Sequence, residues 1–181
     1  MASSSELDDM FEQMHIPEGY KAEIVKGAVF MARQRDVHWQ TTRRIVRALE
    51  DRFGLDAPIT SDVRIDFPGE LNGFAPDVAK FIDSAEKDER GRWRYQDVEF
   101  VAEVISKGTA ANDYGAKRIA YATAGIPVYL IADPYTGRCR VFTRPQDGEY
   151  KIDLNAAYGM PLDLTRTDVG ITLATEGFPR D

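Results

Sequence analysis

One continuous stretch, residues 98–134, constrains the fold more than any other part of the chain. Residues 98–105 (VEFVAEVI) are apolar apart from two glutamates, which predicts a strand buried on both faces. Residues 113–124 (DYGAKRIAYATA) are rich in helix formers, with Asp113 as a candidate N-cap. Residues 126–133 (IPVYLIAD) then predict a second buried strand. This order indicates an α/β fold in which a right-handed helical crossover joins two parallel strands.

Two ionisable residues of this stretch are predicted to meet at a buried place. Glu103 lies mid-strand between aliphatic neighbours, where an isolated carboxylate costs roughly several kcal/mol. It must therefore be paired with an Arg or Lys, protonated, or bound to a cation. On the helix, Lys117 and Tyr121 border a stripe of alanines that should pack on the sheet. Lys117 is thereby directed toward the sheet edge where the Glu103 strand ends, although a lysine that snorkels to solvent gives the same pattern.

The chain before this stretch begins with a predicted hairpin and a long helix. Residues 20–32 predict the hairpin, and Glu23 within it is expected to be exposed to solvent. Asp36 can cap a helix over residues 37–53, whose inward stripe begins at His38. A histidine there is more often structural, but His38 could also face the sheet edge.

Further strands are predicted on both sides of the central stretch. Residues 58–67 predict one half-buried strand and residues 75–82 the next, with Asp77 near the beginning of the second. Taken alone, an aspartate after a proline is usually a turn residue. Residues 83–97 form a charged connection without the pattern of a calcium-binding loop. Short antiparallel strands that cover the sheet are predicted at residues 138–144, 149–154 and 170–174.

Composition bounds the class of protein and its location. The chain of 181 residues has no Pro/Gly/Ser-rich linker, so we expect an N-terminal helical extension (1–19) and a single domain (20–181). We expect no contact with a membrane, because no segment approaches the ~20 apolar residues of a membrane span. A cytoplasmic location is expected because the N-terminus lacks a secretory pattern and Cys139 is the only cysteine. The net charge of -7 argues against a general nucleic-acid binder, but a basic cleft remains open.

Missing motifs narrow the chemistry further. The sequence contains no P-loop, no dinucleotide-binding glycine motif, no G-x-S-x-G elbow and no H-E-x-x-H motif. Its two histidines and one cysteine cannot make a typical zinc site. What remains is Asp77 and Glu103, with Glu23 as a third acid and Lys117 as the cation. Hard oxygen ligands of this kind suit Mg²⁺ or Mn²⁺.

Four short motifs together resemble a known family. They are PDV at 76–78, AEVIS at 102–106, D-x-x-x-K from Asp113 to Lys117, and AYATAGIPVYLIADP at 120–134. In this order they resemble the bacterial Uma-type family of restriction endonucleases, within the PD-(D/E)XK nuclease superfamily. The resemblance extends over residues 20–174. It implies a restriction-endonuclease-like mixed β-sheet flanked by helices.

The resemblance also implies roles for individual residues. Asp77 and Glu103 would be catalytic acids that bind Mg²⁺ or Mn²⁺, with the Val104 carbonyl as a further ligand. The auxiliary residues would be Glu23, His38 and Tyr121.

The catalytic lysine departs from the superfamily pattern. The usual E-x-K motif would place this lysine at the position of Ile105, so Lys117 must substitute for it from the helix. Lys107 is a further departure, since the family often has proline there, and it adds positive charge beside the site.

The implied activity is metal-dependent hydrolysis of DNA phosphodiester bonds by Asp77, Glu103 and Lys117. Water would attack the phosphate, and Lys117 would position that water or neutralise the developing charge. A homodimer is expected, because cutting a duplex requires two strand cuts. The alternative is a non-catalytic nuclease-fold domain that binds a nucleic acid or a protein partner, with the acids kept as a structural ion network.

Overall fold

The structure, a computed structural model, describes residues 4–181. Its centre is a mixed sheet, here called the central sheet. In chain order its six strands are β3 (Ile59–Thr60), β6 (Val78–Phe81), β7 (Val98–Val104), β8 (Val128–Asp133), β9 (Arg138–Gln146) and β10 (Glu149–Ala157). Across the sheet the order is β10-β9-β8-β7-β6-β3. Only β7 and β8 are parallel among these neighbours.

Two smaller sheets accompany the central sheet. The first, here called the hairpin sheet, has the order β2-β1-β5-β4 and consists of β1 (Tyr20–Val25), β2 (Ala28–Arg33), β4 (Ile65–Phe67) and β5 (Asn72–Phe74). The second pairs β11 (Leu162–Leu164) with β12 (Ile171–Leu173). The helices are α1 (Ser4–Glu12), α2 (Asp36–Phe53), α3 (Ala110–Tyr114) and α4 (Ala116–Thr123), and a 3₁₀ turn covers Tyr95–Asp97.

The two faces of the central sheet bury two different cores, as the alternation of side chains along a strand requires. Phe100 and Ala102 pack with Ile45 and Leu49 of α2. Val101 faces the opposite way and belongs to the second core, which includes α4 and the hairpin sheet. Glu103, the catalytic candidate on β7, shares the face of Val101 and therefore faces α4, while α2 covers the other side.

The crossover from β7 to β8 confirms the predicted parallel pair, in which Glu103 lies opposite Ile131. The predicted continuous helix with an Asp113 cap is wrong. The backbone breaks at Gly115 (φ -116°, ψ -97°) between α3 and α4, and Asp113 lies within α3. A Cβ at Gly115 would lie 2.8 Å from the Ala111 carbonyl oxygen. Glycine, which has no side chain, therefore fits this turn without displacing the backbone.

Two other predictions about strands are wrong. Residues 58–67 are not one strand, because the chain turns at Asp62 (φ 55°) and passes from β3 in the central sheet to β4 in the hairpin sheet. Strands β9 and β10 extend the central sheet instead of covering it, since β9 pairs directly with β8.

The first helix is tied to the rest of the molecule by charge and by one apolar side chain. Asp8 lies 2.9 Å from an Arg64 nitrogen and 2.7 Å from an Arg92 nitrogen, and Leu7 is buried. The predicted division at residue 19 stays a prediction. No helix within residues 4–181 is long and apolar enough to cross a membrane.

Candidate active site

Asp77 and Glu103 are brought together by the pairing of two neighbouring strands. Asp77 immediately precedes β6, Glu103 lies near the end of β7, and Val78 pairs with Ala102. The Val104 N–H donates a hydrogen bond of 2.6 Å to Asp77 Oδ2, which fixes the aspartate against β7. Both carboxylates are almost fully buried, at 4% and 2% exposure.

Lys117 lies at the centre of a cluster of carboxylates. Its ammonium nitrogen is 2.7 Å from Glu103 Oε1, 3.0 Å from both oxygens of Glu23, and 3.1 Å from Asp113 Oδ1. The side chain is 1% exposed, so it does not snorkel to solvent. One turn further along α4, the Tyr121 hydroxyl donates a hydrogen bond of 2.6 Å to Glu103 Oε1.

The expectation that Glu23 is exposed is wrong. Its side chain is 12% exposed, and Oε1 accepts a hydrogen bond of 2.8 Å from the Ala75 N–H. The reason lies in the hairpin sheet, where β1 pairs with β5 through Ile24 and Gly73. This pairing places one face of β1 over the catalytic candidates.

Lys21 belongs to the site and was missed by the sequence prediction. Its ammonium group lies 2.6 Å from Asp77 Oδ1 and 3.3 Å from Asp62 Oδ1, and it donates to the Ala75 carbonyl at 3.0 Å. The spacing of the hairpin strand could have predicted this, because Lys21 and Glu23 are two residues apart and therefore share a face of β1. Asp113 was likewise predicted only as a helix cap and as part of the D-x-x-x-K motif, with no role in the site.

His38 reaches the same region from the first turn of α2. Its Nε2 lies 3.0 Å from the Ser106 hydroxyl, and its Nδ1 has no hydrogen-bond partner among residues 4–181. Burial is the largest influence on the pKa of His38 and lowers it, which favours the neutral ring. Val104 lines the cavity beside His38, with its N–H committed to Asp77.

The cavity enclosed by these residues is small and rich in acids. Its volume is about 20 Å³, enough for one water molecule or one ion. The side chains that line it at 12% exposure or less include four carboxylates and two ammonium groups, an excess of two negative charges when all are ionised. They are Glu23, Asp77, Glu103, Asp113, Lys21 and Lys117. Arg33 also lines the cavity and is exposed to solvent.

The charge excess perturbs the protonation of the buried groups. Burial raises the pKa of Glu103 to about 8, against the opposing effect of the Lys117 ammonium. Burial alone would lower the pKa of Lys117, but the carboxylates of Asp113, Glu103 and Glu23 raise it well above its usual value. Burial opposes the ionisation of Asp77, yet Lys21 and the Val104 N–H hold its pKa below the usual value. Lys117 and Asp77 are therefore both charged at neutral pH.

The donor set fits a divalent cation by its chemistry. Within residues 4–181, no group of three or more His, Cys, Asp or Glu side chains is arranged to hold a metal ion. Mg²⁺ requires fewer protein ligands, because it commonly binds one or two carboxylates and keeps several waters. Asp77 and Glu103 supply such a pair, and one divalent ion would cancel the excess of two negative charges that the cavity carries when all six groups are ionised.

The strand order and the flanking helices define a mixed α/β protein. The chain belongs to the Uma2 family, described as "Putative restriction endonuclease", whose model matches residues 8–176. This match confirms the family predicted from the sequence motifs.

A protein of similar structure has been solved by crystallography. It is described as "a putative nuclease belonging to DUF820 from Anabaena variabilis ATCC 29413", with a TM-score of 0.73 and 15% sequence identity. The similarity covers 95% of this chain and 96% of the other, which confirms the predicted fold class. No curated protein sequence matches the chain.

Proposed function

We propose that this protein is an endonuclease that hydrolyses DNA phosphodiester bonds with Mg²⁺ or Mn²⁺ bound at Asp77 and Glu103. One observation carries the proposal: a cavity of about 20 Å³ is lined by four nearly buried carboxylates and only two ammonium groups. An uncompensated buried charge of this size is costly for a structural role, because the buried acids must take up protons or a cation. A divalent cation satisfies it directly.

The residues of the site would have two kinds of role, as ligands of the cation and as positive charges near the phosphate. Asp77, Glu103 and the Val104 carbonyl would hold the cation, which when bound polarises the phosphate and lowers the pKa of a bound water. Lys117 serves as a permanent positive charge, because its raised pKa leaves it protonated and unable to act as a general base. It neutralises charge that develops on the phosphate during attack.

Three neighbours act as positioning residues. Tyr121 donates to Glu103 Oε1 and fixes the orientation of that carboxylate. Lys21 holds Asp77 Oδ1 in the corresponding way. Glu23 orients Lys117 through both of its oxygens. The exposed Arg33 at the edge of the cavity and Lys107 in the adjacent loop are positive charges accessible to a phosphate group.

One observation favours a second candidate, the non-catalytic nuclease-fold domain. Lys21 contacts Asp77, and Lys117 contacts Glu103, so each acid has a cationic partner within the chain itself. Such pairs are what a structural ion network would contain. In that case the protein would bind a nucleic acid or a protein partner without cutting it.

Titration calorimetry with Mn²⁺ separates the two candidates. The proposed enzyme binds the ion, and Asp77→Asn should weaken binding by at least about tenfold. Loss of a residue that only orients a metal ligand already lowers metal affinity about tenfold, and loss of the ligand itself should cost no less. Asp153→Asn is the matched control, since Asp153 is a half-exposed acid paired with Arg140 on the far strands. Binding that is absent in the wild type, or equal in Asp77→Asn, favours the structural network.

We further propose a cytoplasmic homodimer that acts on duplex DNA. The sole cysteine, Cys139, is buried as a free thiol, which suits a reducing compartment. Two identical sites related by a two-fold axis would supply the two strand cuts that a duplex requires. Sedimentation of the purified protein over a range of concentrations tests the dimer.

A further inference from the structure

A second cavity lies between α2 and the segment that leads into β3, and we call it the α2 cleft. Its volume is about 640 Å³, and it shares no lining residue with the catalytic cavity among residues 4–181. Three arginines and one glutamate line it, so the local charge is positive although the chain as a whole carries -7. The lining residues used below are Trp39, Arg43, Arg47, Thr60 and Ser61.

The aromatic side chain of the α2 cleft is unusually accessible. Trp39 is 59% exposed, whereas the only other tryptophan, Trp93, stacks on Phe81 at 4.5 Å between ring centroids. Trp39 lies outside the buried stripe of α2, about 100° around the helix axis from His38, so its ring is not part of the core. A tryptophan exposed beside arginines is the combination that binds a planar base and its phosphate.

The arginines follow Trp39 along one side of α2. Arg43 and Arg47 come four and eight residues later, so successive members of the row are about 6 Å apart along the helix axis. Their present partners are weak: Arg43 bonds to the Gln40 side chain at 2.9 Å, and Arg47 pairs with Asp51 in a pair whose side chains are 75% and 65% exposed. Such guanidinium groups can exchange these contacts for phosphate oxygens at little cost.

Two residues that line the α2 cleft are neighbours, in sequence or in strand pairing, of residues at the candidate active site. Trp39 directly follows His38, which contacts Ser106 at the catalytic cavity. On the other wall, Thr60 pairs with Ala79 of β6, the strand that begins beside Asp77. Ser61 then leads to Asp62, whose carboxylate lies 3.3 Å from the Lys21 ammonium group that holds Asp77.

We propose that the α2 cleft binds single-stranded nucleic acid beside the point of cleavage, with one base stacked on Trp39 and phosphates on Arg43 and Arg47. The inference rests on the proposed function, because the bound strand would lead to the catalytic centre. Unpaired strand is favoured over intact duplex because an exposed indole can stack only on a base whose face is free. The substrate of the nuclease is then DNA with an unpaired segment next to the cut.

Fluorescence anisotropy with a labelled oligothymidylate of about 20 nucleotides tests this inference. This length exceeds the roughly 4 to 16 nucleotides that a single-strand binding groove covers. The buffer contains EDTA, so that binding is measured without cleavage. The expected result is that Trp39→Ala weakens binding about 5- to 150-fold, the range of one lost base–aromatic stack. The double variant Arg43→Ala/Arg47→Ala should also lower the slope of log affinity against log salt by about 1.4, since each phosphate contact on a single strand contributes about 0.7.

Arg52→Ala is the matched control, because Arg52 is an exposed arginine of the same helix that does not line the α2 cleft. The Arg52→Ala variant should bind the oligothymidylate with the affinity of the wild type. The inference is overturned if the wild type does not bind, if the cleft variants bind as the wild type does, or if unlabelled duplex competes as well as single strand. It is also overturned if Trp39 instead supports self-association, which sedimentation of Trp39→Ala would show.

The test is independent of catalysis. Binding through Trp39 without any cleavage in Mg²⁺ would support the α2 cleft and refute the nuclease proposal. Cleavage that is indifferent to Trp39 and to the two arginines would support the nuclease proposal and refute the α2 cleft.

Discussion

Replacement of Lys117 by methionine tests whether the charges of the candidate active site are as interdependent as the geometry indicates. Methionine keeps the apolar stem, but it leaves Glu23, Glu103 and Asp113 without the ammonium group that now lies 2.7 to 3.1 Å from them. Removing one partner of a buried ion pair typically costs about 3 to 5 kcal/mol. For a chain of this length that loss corresponds to a fall in Tm of about 6 to 20 °C.

The assay is thermal unfolding followed by circular dichroism at several pH values without divalent ions. The loss should be larger at pH 8 than at pH 5, because carboxylates that lack a cationic partner can take up protons at the lower pH. Lys80→Met is the matched control: Lys80 is likewise buried, at 2% exposure, but its partners Glu99 and Asp83 are 21% and 83% exposed and can turn to water. We expect a cost of about 1 kcal/mol or less for it.

Two outcomes would refute this account of the centre. One is a Lys117→Met variant as stable as the wild type at pH 8. The other is an equal loss in both lysine variants at every pH, since the acids around Lys117 would then behave like solvated ones.

Further predictions concern the hydroxyl groups and the pH dependence of the same centre. Tyr121→Phe removes a hydrogen bond to the Glu103 carboxylate, so chemical denaturation at pH 9 should show that the free energy of unfolding falls by about 1.5 to 3 kcal/mol. The Tyr129 hydroxyl donates instead to the neutral Asp113 carbonyl at 3.0 Å, so Tyr129→Phe should lower the free energy of unfolding by about 0.5 to 1.5 kcal/mol. Equal losses would show that the charge of the acceptor is unimportant. Because burial raises the pKa of Glu103 to about 8, the folded state holds this proton more tightly than the unfolded state, so its contribution to stability should be full below pH 4.5 and decline as pH rises toward 8. Glu103→Gln should remove that decline, and a wild type and variant with the same pH profile would contradict the prediction.

The sequence predicted those features that depend on local pattern. The strands on either side of the crossover were found because their apolar runs exclude a surface position. Lys117 was placed correctly because a residue beside an alanine stripe must face whatever that stripe packs against. Asp77 and Glu103 could be expected near one another because they lie on strands with matching patterns, and the family motifs join them.

Features that depend on contacts distant in sequence were not predicted. Glu23 and Lys21 belong to the site only because β1 pairs with β5, about 50 residues away along the chain, at the single pair Ile24 and Gly73. Periodicity shows which side chains share a face, but not what covers that face. Asp113 was misassigned because an aspartate at the start of a helix suits both a cap and an ion pair four residues on.

Cleavage of supercoiled plasmid is the measurement that tests the central claim most directly. Wild-type protein should nick or linearise the plasmid in Mg²⁺ or Mn²⁺, EDTA should abolish the reaction, and Asp77→Asn should lose it while keeping the wild-type fold. Lys117→Met, assayed below its melting temperature, should be slower by a factor of order ten to a thousand, the scale of one lost transition-state charge. Lys80→Met, prepared in the same way, should cleave at the wild-type rate. Cleavage by Asp77→Asn equal to that of the wild type, or no cleavage by the wild type with either metal on duplex or single-stranded DNA, would contradict the claim that Asp77, Glu103 and Lys117 form a nuclease centre.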